Sequence, residues 1–434
     1  MRRNLVVGIL RETKEWERRT PLTPSSVGWL IKRGIEVEIE SSSKRIFSDQ
    51  QYRKSGARIL GKFRKASLLL GIKEPGIDDL YPDKIYMIFS HTIKGQPQNM
   101  PLLKACLKKK ITLIDYEKIV DLHGQRLVYF GRFAGICGIV DSLHYLGKKL
   151  EWKGIKNPFS LIKPAYKYKS LEDLKTAMAR IDSHIQRRGF PKLLSPFIIG
   201  ITGHGSVSSG VQEILQCLNP VEIHPKDIWE FVQHQRGVRH KLYKIVFFRE
   251  EKFRPKDKRG YYFEEYLKNP KKFESNLDVY LPFLNLLIHT SYWDSRYPRL
   301  VTTKMINRLA KRRFFRLKFI GDISCDINGS IELTYKTTTP DNPIFTYDPG
   351  KKKFSDGYKC GGITILAVDN LPAELPKDAS EEFSDLVRDY IYQIAAHGIK
   401  DITNHIALPV EIRQAVITQN GKLTKYFSYL KRYI

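Results

Sequence analysis

Cysteine is scarce in this chain: five residues in 434. Cys106, Cys137, Cys217, Cys325 and Cys360 are widely separated and never form a C-x-x-C pair. That pattern excludes a disulfide framework and a paired-cysteine zinc site, and it points to a reducing compartment without a metal centre. Long apolar runs are also missing. The longest, Val279 to Ile288, is interrupted by Pro282 and Asn285 and falls well short of the ~20 residues of a membrane-spanning helix. The first residues, Met1 to Leu10, pass from two arginines straight into a strand-like run with no secretory cleavage site, so a cytoplasmic location is expected. Neither an internal repeat nor a low-complexity segment is present.

Negative charge is in short supply, with 46 acidic residues against 74 basic ones and a net charge of +28. A surplus of this size raises the question of nucleic acid. The basic residues are spread over nearly every segment, with only short runs such as Lys108 to Lys110, Lys311 to Arg313 and Lys351 to Lys353, and no nucleic-acid-binding signature accompanies them. The distribution favours a solvated basic surface, and nucleic acid is not an expected partner.

What is present is a globular composition, 42% hydrophobic and 12% aromatic, long enough for two or three domains. The stretch from Gly200 to Leu215 is the organising one. An apolar run, Leu193 to Ile201, feeds a glycine turn, and a helical pattern leaves it. Gly203 permits a sharp turn, Gly205 permits close approach of backbone N–H groups to a pyrophosphate, and Ser206 and Val207 open the helix. The spacing departs from the usual dinucleotide fingerprint, because Ser208 stands where its third glycine falls. Val221 to His224 takes the second-strand position by chain order. His224 and nearby Lys226 replace the acid that would hold the ribose of NAD, so NADP is expected and NAD is the less favoured nucleotide.

Along the first third, Thr23 and Pro24 open a helix that stops at Gly34, and Ile35 to Ile39 alternates like a half-buried strand. Three apolar runs then deliver polar groups at their ends: Lys73-Glu74 after Ser67 to Ile72, His91 with Lys94 and Gln96 after Ile85 to Phe89, and Asp115-Tyr116-Glu117 after Ile111 to Ile114. Ligands of open α/β sheets bind outside the carboxyl ends of their strands. Lys73 and His91, both beside apolar strand ends, are therefore candidates for proton transfer. A helix with small residues at 134, 135 and 138 is expected to run to Leu150 and connect two domains. Further strands are expected at Lys241 to Arg249, Leu281 to Ile288, Leu317 to Ile320 and Ile363 to Val368, with a charged insertion at 250–277. The stretch 377–434 reads as mainly helical and as packing back on the first half. The expected architecture is α/β: two Rossmann-like doubly wound parallel-sheet domains facing across a cleft. One comprises 1–135 plus 377–434 and carries substrate and catalysis. The other, 136–376, binds NAD(P).

With these segments together, the chain resembles the lysine–ketoglutarate reductase (saccharopine dehydrogenase, lysine-forming) members of the alanine dehydrogenase and transhydrogenase family. The likeness covers about residues 5–425. It rests on Trp16 to Pro24, Phe89 to Lys94, Leu113 to Lys118, Gly203 to Gly210, Tyr292 to Asp294, Pro298 to Leu300, Asp322 to Asp326, Gly329 to Glu332 and Asp369 to Pro372. The resemblance implies that Lys73 and His91 form the acid–base pair and that Lys14, Glu17, Arg19, Lys94, Gln96 and Phe130 surround the substrate. It also implies that Arg126, Asp369 and the glycine turn contact the cofactor. It supports NADPH, with lysine, 2-oxoglutarate and saccharopine as the small-molecule partners. It further implies that the glutamate-forming dehydrogenase found beside this reductase in bifunctional relatives lies outside the chain. The rival expectations are an amino-acid dehydrogenase of the alanine dehydrogenase type and a non-catalytic basic protein that binds nucleotides or nucleic acid.

Overall fold

The computed structural model describes residues 4–234, 238–257, 260–397 and 402–434. Arg2 and Arg3 of the N-terminal reading lie outside the described residues. The chain divides into two compact units, Met1–Phe130 with Pro376–Ile434, and Gly131–Leu375.

The first unit begins with six parallel strands: β1 (Val7–Ile9), β2 (Val37–Glu40), β3 (Arg58–Leu60), β4 (Leu68–Leu70), β5 (Ile85–Ile88) and β6 (Thr112–Asp115). Their order across the sheet is β6-β5-β4-β1-β2-β3, so the chain reverses its winding direction between β1 and β4. Alternation along the strands separates two cores. Ile85 and Met87 belong to one apolar cluster, while Tyr86 and Ile88 belong to another, as the period of two requires. Helix α1 (Pro24–Ile31) starts where the sequence places it, with the Thr23 side chain accepting from the Ser26 N–H and Pro24 in the first turn. Helix α2 (Asp49–Lys54) opens on a capping box from Ser48 and Gln51. Helix α3 (Met100–Lys108) buries Leu103 and Cys106 in the second cluster.

The second unit opens on α4 (Gly131–Trp152), the helix expected to connect two domains, which instead lies wholly within this unit. It is buried nearly all round, as a helix enclosed by other elements must be. Helix α5 (Leu171–Arg188) is capped by Ser170. Strand β7 (Phe197–Thr202) leads into the glycine turn, and α6 (Ser206–Gln216) leaves it. Then come β8 (Val221–Glu222), α7 (Ile228–His234), β9 (Leu242–Phe247) and the short α8 (Arg249–Lys252). The insertion folds as a two-stranded antiparallel sheet, β10 (Phe253–Pro255) with β11 (Phe273–Ser275), and α9 (Phe263–Lys268). Strand β12 (Leu286–His289) is shorter than the apolar run that contains it, because Leu281–Phe283 forms a 3-10 turn around Pro282. Helix α10 (Thr303–Leu309), β13 (Phe319–Asp322), β14 (Ile344–Asp348), β15 (Lys353–Asp356) and β16 (Ile363–Leu366) complete the unit. The sheet order is β15-β14-β16-β13-β12-β7-β9-β8. Its centre is parallel and its β14–β15 edge antiparallel. That hairpin is absent from the sequence reading: β15 is polar and mostly exposed, and β14, though buried, is a short run broken by Thr346 and ended by Asp348.

The chain then returns to the first unit. Helix α11 (Pro376–Ala396) packs Phe383, Val387 and Ile391 against the α1 side of the first sheet. Helix dominates the rest as expected, with α12 (Val410–Gln414) and a 3-10 segment at Lys425–Tyr433, but two strands were not foreseen: β17 (Val416–Gln419) pairs antiparallel with β6, and β18 (Lys422–Leu423) pairs with β17. Residues 398–401 of this stretch lie outside the described residues. Among the described residues, no helix is long and apolar enough to cross a membrane.

Candidate functional site

At the carboxyl ends of β1, β4 and β5 a set of charged side chains converges. Glu12, just past β1, accepts hydrogen bonds from the backbone N–H groups of Ile72 and Lys73 (3.2 Å for Lys73). The carboxylate thereby bridges the place where the sheet reverses direction. Burial, reinforced by Glu17 beside it, raises the Glu12 pKa to about 8. Lys73 itself is half-buried. Its neighbour Glu74 receives Lys14 Nζ at 3.0 Å and faces His91 Nδ1 at 3.2 Å. Burial would raise the Glu74 carboxyl, but the bonds from His91, its own backbone and Lys14 prevail and bring its pKa down to about 2.

His91 has φ +54 and holds its loop through its carbonyl, which accepts from Asn99 Nδ2 at 2.8 Å. One residue earlier, Ser90 donates through both N and Oγ to the buried Asp115, which burial raises to about 6. Lys94 and Gln96 sit exposed on the same loop. Glu17 and Arg19 are both buried and already joined: the guanidinium donates to both carboxylate oxygens, at 2.7 Å from Nε. It also lies 4.1 Å from the Phe130 ring centroid, and Phe130 stacks on Phe383 at 4.4 Å. Arg126 is exposed and donates to Glu117 at 3.2 Å. Lys14, Lys73 and His91 thus share one end of one sheet, with Lys94 and Gln96 on the adjoining loop.

The second constellation lies at the carboxyl ends of β7, β12 and β13. Gly203 has φ +117, and a side chain there would strike Thr290 Oγ1 at 2.7 Å, so only glycine fits. Gly205 caps α6, and a Cβ there would meet nothing within 4 Å. The N-terminus of this 11-residue helix is therefore open, which suits the phosphates of a dinucleotide. Ser206 and Val207 are half-buried. Ser208 is fully buried and accepts from Gln212 Nε2 at 3.3 Å, filling the small-residue position. The helix is held from below by backbone contact: a Cβ on Gly210 would lie 2.0 Å from Arg132 O, and one on Gly135 2.0 Å from Val207 O. Arg132 also grips Glu213 through Nε and Nη2, each at 2.7 Å. Asp369 is exposed just past β16.

His224 is not beside this turn. Strand β8 forms the sheet edge, and β9 separates it from β7. His224 is exposed and accepts from the Lys226 N–H at 3.3 Å. The strand that flanks β7 ends at Phe247, and Phe248 and Arg249 follow it. Phe248 stacks on His204 at 4.3 Å, and Arg249 is exposed over the Phe263 ring at 4.7 Å.

Three residues were given no role by sequence reasoning. Glu12 is one. His289 is fully buried with Nδ1 2.7 Å from Thr202 Oγ1, and its Nε2 has no hydrogen-bond partner among the described residues. Burial, with Lys252 nearby, lowers its pKa to about 3, so the ring is neutral. Lys252 is buried, donates to Ser291 Oγ at 2.8 Å and is lowered to about 8 by desolvation and then Arg249. The available signal was that His289 ends an apolar run. Lys252, inside a charged stretch, gave none. Among the described residues no cluster of His, Cys, Asp or Glu could hold a metal ion.

Comparison with known proteins identifies the family and the fold. The N-terminal domain of the alanine dehydrogenase/PNT family matches residues 8–137, and the C-terminal domain of that family matches residues 261–426. Alpha-aminoadipic semialdehyde synthase of Arabidopsis thaliana is 34% identical over 99% of this chain and 41% of its own length. The mitochondrial protein of that name from Bos taurus is 34% identical over 98% of this chain and 48% of its own. The chain thus spans about half the length of these curated relatives. A saccharopine dehydrogenase [NAD(+), L-lysine-forming] of Neurospora crassa is 25% identical over 87% of this chain and 88% of its own length. In fold, an L-alanine dehydrogenase structure superposes with a TM-score of 0.64 at 17% identity, covering 99% of both chains. With both domain models matched in order and the same two-sheet architecture, this chain belongs to the alanine dehydrogenase/PNT family.

Proposed function

We propose that the chain is a nicotinamide-nucleotide-dependent oxidoreductase that condenses L-lysine with 2-oxoglutarate and reduces the product to saccharopine, reversibly, with NADPH. The observation that carries the reading is the Lys14–Glu74–His91 cluster, with Lys73 adjacent in sequence, at the strand ends of the first unit. The names of the relatives that match nearly the whole chain narrow the substrates.

The ε-amine of lysine must lose a proton before it attacks the ketone of 2-oxoglutarate, and the carbinolamine oxygen must gain one to leave as water. Lys73 and His91 exchange these protons. Glu74, ionised down to about pH 2, fixes the His91 ring through Nδ1 and leaves Nε2 to the substrate. Lys14, Lys94 and Gln96 bind the polar groups of the substrates, while the Glu17–Arg19 pair and Phe130 shape the wall behind them. A bound nicotinamide nucleotide supplies the hydride. Gly203, Gly205, Ser206, Val207 and Ser208 hold its pyrophosphate, with Asp369 of the same unit as a further contact. The preference for NADPH rests on Arg249, which follows β9, the strand between β7 and the sheet edge. Fungal relatives named for NAD(+) make this the point to test.

The test follows absorbance of the reduced nucleotide with lysine and 2-oxoglutarate singly and together. Oxidation is expected only with both substrates present, and faster with NADPH than with NADH. Oxidation that needs ammonia and a 2-oxo acid, with no lysine, would identify an amino-acid dehydrogenase instead. Salt-sensitive retention on DNA or RNA without lysine-dependent oxidation would point to the binding protein.

A further inference from the structure

The chemistry above gives no role to the C-terminal 3-10 segment Lys425–Tyr433, yet two of its tyrosines reach the loop that carries His91. The segment is anchored at its base. Thr424 donates from N to Ile417 O at 3.0 Å and from Oγ1 to Val416 O at 2.6 Å. Phe427 and Leu430 are buried in the cluster that contains Tyr86 and Ile88 of β5. From that base Tyr429 and Tyr433, 41% and 38% exposed, extend outward. Tyr429 Oη donates to Ile93 O at 2.6 Å. The Tyr433 ring lies so close to Gly95 that a Cβ there would fall 2.4 Å from its Cε2 atom.

The loop is tied at both ends, and its middle is where the tyrosines meet it. Both His91 (φ +54) and Gly95 (φ +66) occupy the left-handed region, a conformation that costs free energy at the histidine and persists only where neighbours enforce it. Ser90, just before the loop, is tied to Asp115, and His91, through its carbonyl, to Asn99. Thr92 bonds to Ser90 Oγ, Gly95 N donates to Thr92 O and Asn99 donates to Gln96 Oε1, while the two tyrosines meet the middle of the loop at the Ile93 carbonyl and at Gly95. We infer that Tyr429 and Tyr433 are positioning residues that set the 91–96 loop, and with it the His91 imidazole, Lys94 and Gln96, for substrate. The inference rests on the reading of His91 as a proton-transfer group.

Tyr429→Phe removes one hydroxyl and Tyr433→Ala one half-exposed ring, so both variants keep the Phe427 and Leu430 anchor and the wild-type melting temperature. In each, amide hydrogen exchange of the 90–99 peptide is expected to quicken. The kcat/KM is expected to fall about tenfold, with the KM for 2-oxoglutarate raised, because small misplacements of reacting groups are costly. Tyr433→Phe, which keeps the ring, restores activity. Gly95→Ala is deleterious alone, and the loss in Gly95→Ala/Tyr433→Ala is less than the product of the two separate losses. Unchanged exchange in the 90–99 peptide, or faster exchange with kcat and KM intact, overturns the inference. If the wild-type protein does not oxidise NADPH with lysine and 2-oxoglutarate, it is the functional reading that fails. The exchange measurement then decides by itself whether the tyrosines hold the loop.

Discussion

The strand-end positions of Lys73 and His91 were legible because Lys73 directly follows one apolar run and His91 stands one residue past another. Glu12 was not legible, because within Arg11 to Arg19 one carboxylate looks like another. Only the adjacency of β1 and β4 brings the Ile72 and Lys73 N–H groups to it. Replacing Lys73 with Met or His91 with Gln is expected to lower kcat for lysine- and 2-oxoglutarate-dependent NADPH oxidation by about 10²-fold or more, the range for lost acid–base groups. Steady-state assays at saturating substrate check this. The two perturbed glutamates make opposite demands on pH. The Glu74 pKa lies below its ordinary 4.5, so its contribution to stability is complete above that value and is lost as pH falls toward 2. Glu74→Gln is expected to destabilise the protein at neutral pH by about 1–2 kcal/mol and to flatten its acid-side loss of stability, since the group is partly exposed and screened. The Glu12 pKa is raised to about 8, so its ionisation weakens the fold as pH rises from about 4.5 through 8. Glu12→Gln removes that decline. Urea titrations across pH separate the two effects.

At the scale of elements, the apolar runs located most parallel strands of both sheets, though not β3, whose three residues are exposed or half-buried, and their order was another matter. Chain order put His224 beside the glycine turn. Hydrogen bonding puts β9 there and β8 at the edge, because a two-residue strand with both residues exposed buries too little to occupy the centre of a sheet. The small residues of 134 to 138 gave a better guide. Gly135 was among them, and it meets Val207 O on α6 while Gly210 meets Arg132 O on α4. Since backbone lies on both sides of each contact, Gly210→Ala must push the helices apart. It is expected to cost about 3 kcal/mol and to raise the KM for the nucleotide, because α6 carries the glycine turn. Chemical denaturation and nucleotide titration report the two effects independently.

At the scale of the molecule, the second unit is contiguous, while the first is assembled from both ends of the chain. A chain truncated after Leu375 keeps all ten strands of the second unit, β7 to β16, and loses α11, β17 and β18 from the first. Limited proteolysis is expected to leave a resistant fragment beginning near Gly131 and to digest the residues before it. The first sheet would have lost the strand paired with β6 and the core contributed by Phe383, Val387 and Ile391. The sequence by itself determined the α/β class, the glycine turn, the capped start of α1 and the strand-end positions of Lys73 and His91, since each depends on residues near one another in the chain. Only the tertiary structure decided which strands are neighbours, that Glu12 bridges β1 and β4, and that Tyr429 and Tyr433 rest on the His91 loop. Those contacts join residues far apart in sequence, and hydrogen bonding and burial select them only after the chain has folded.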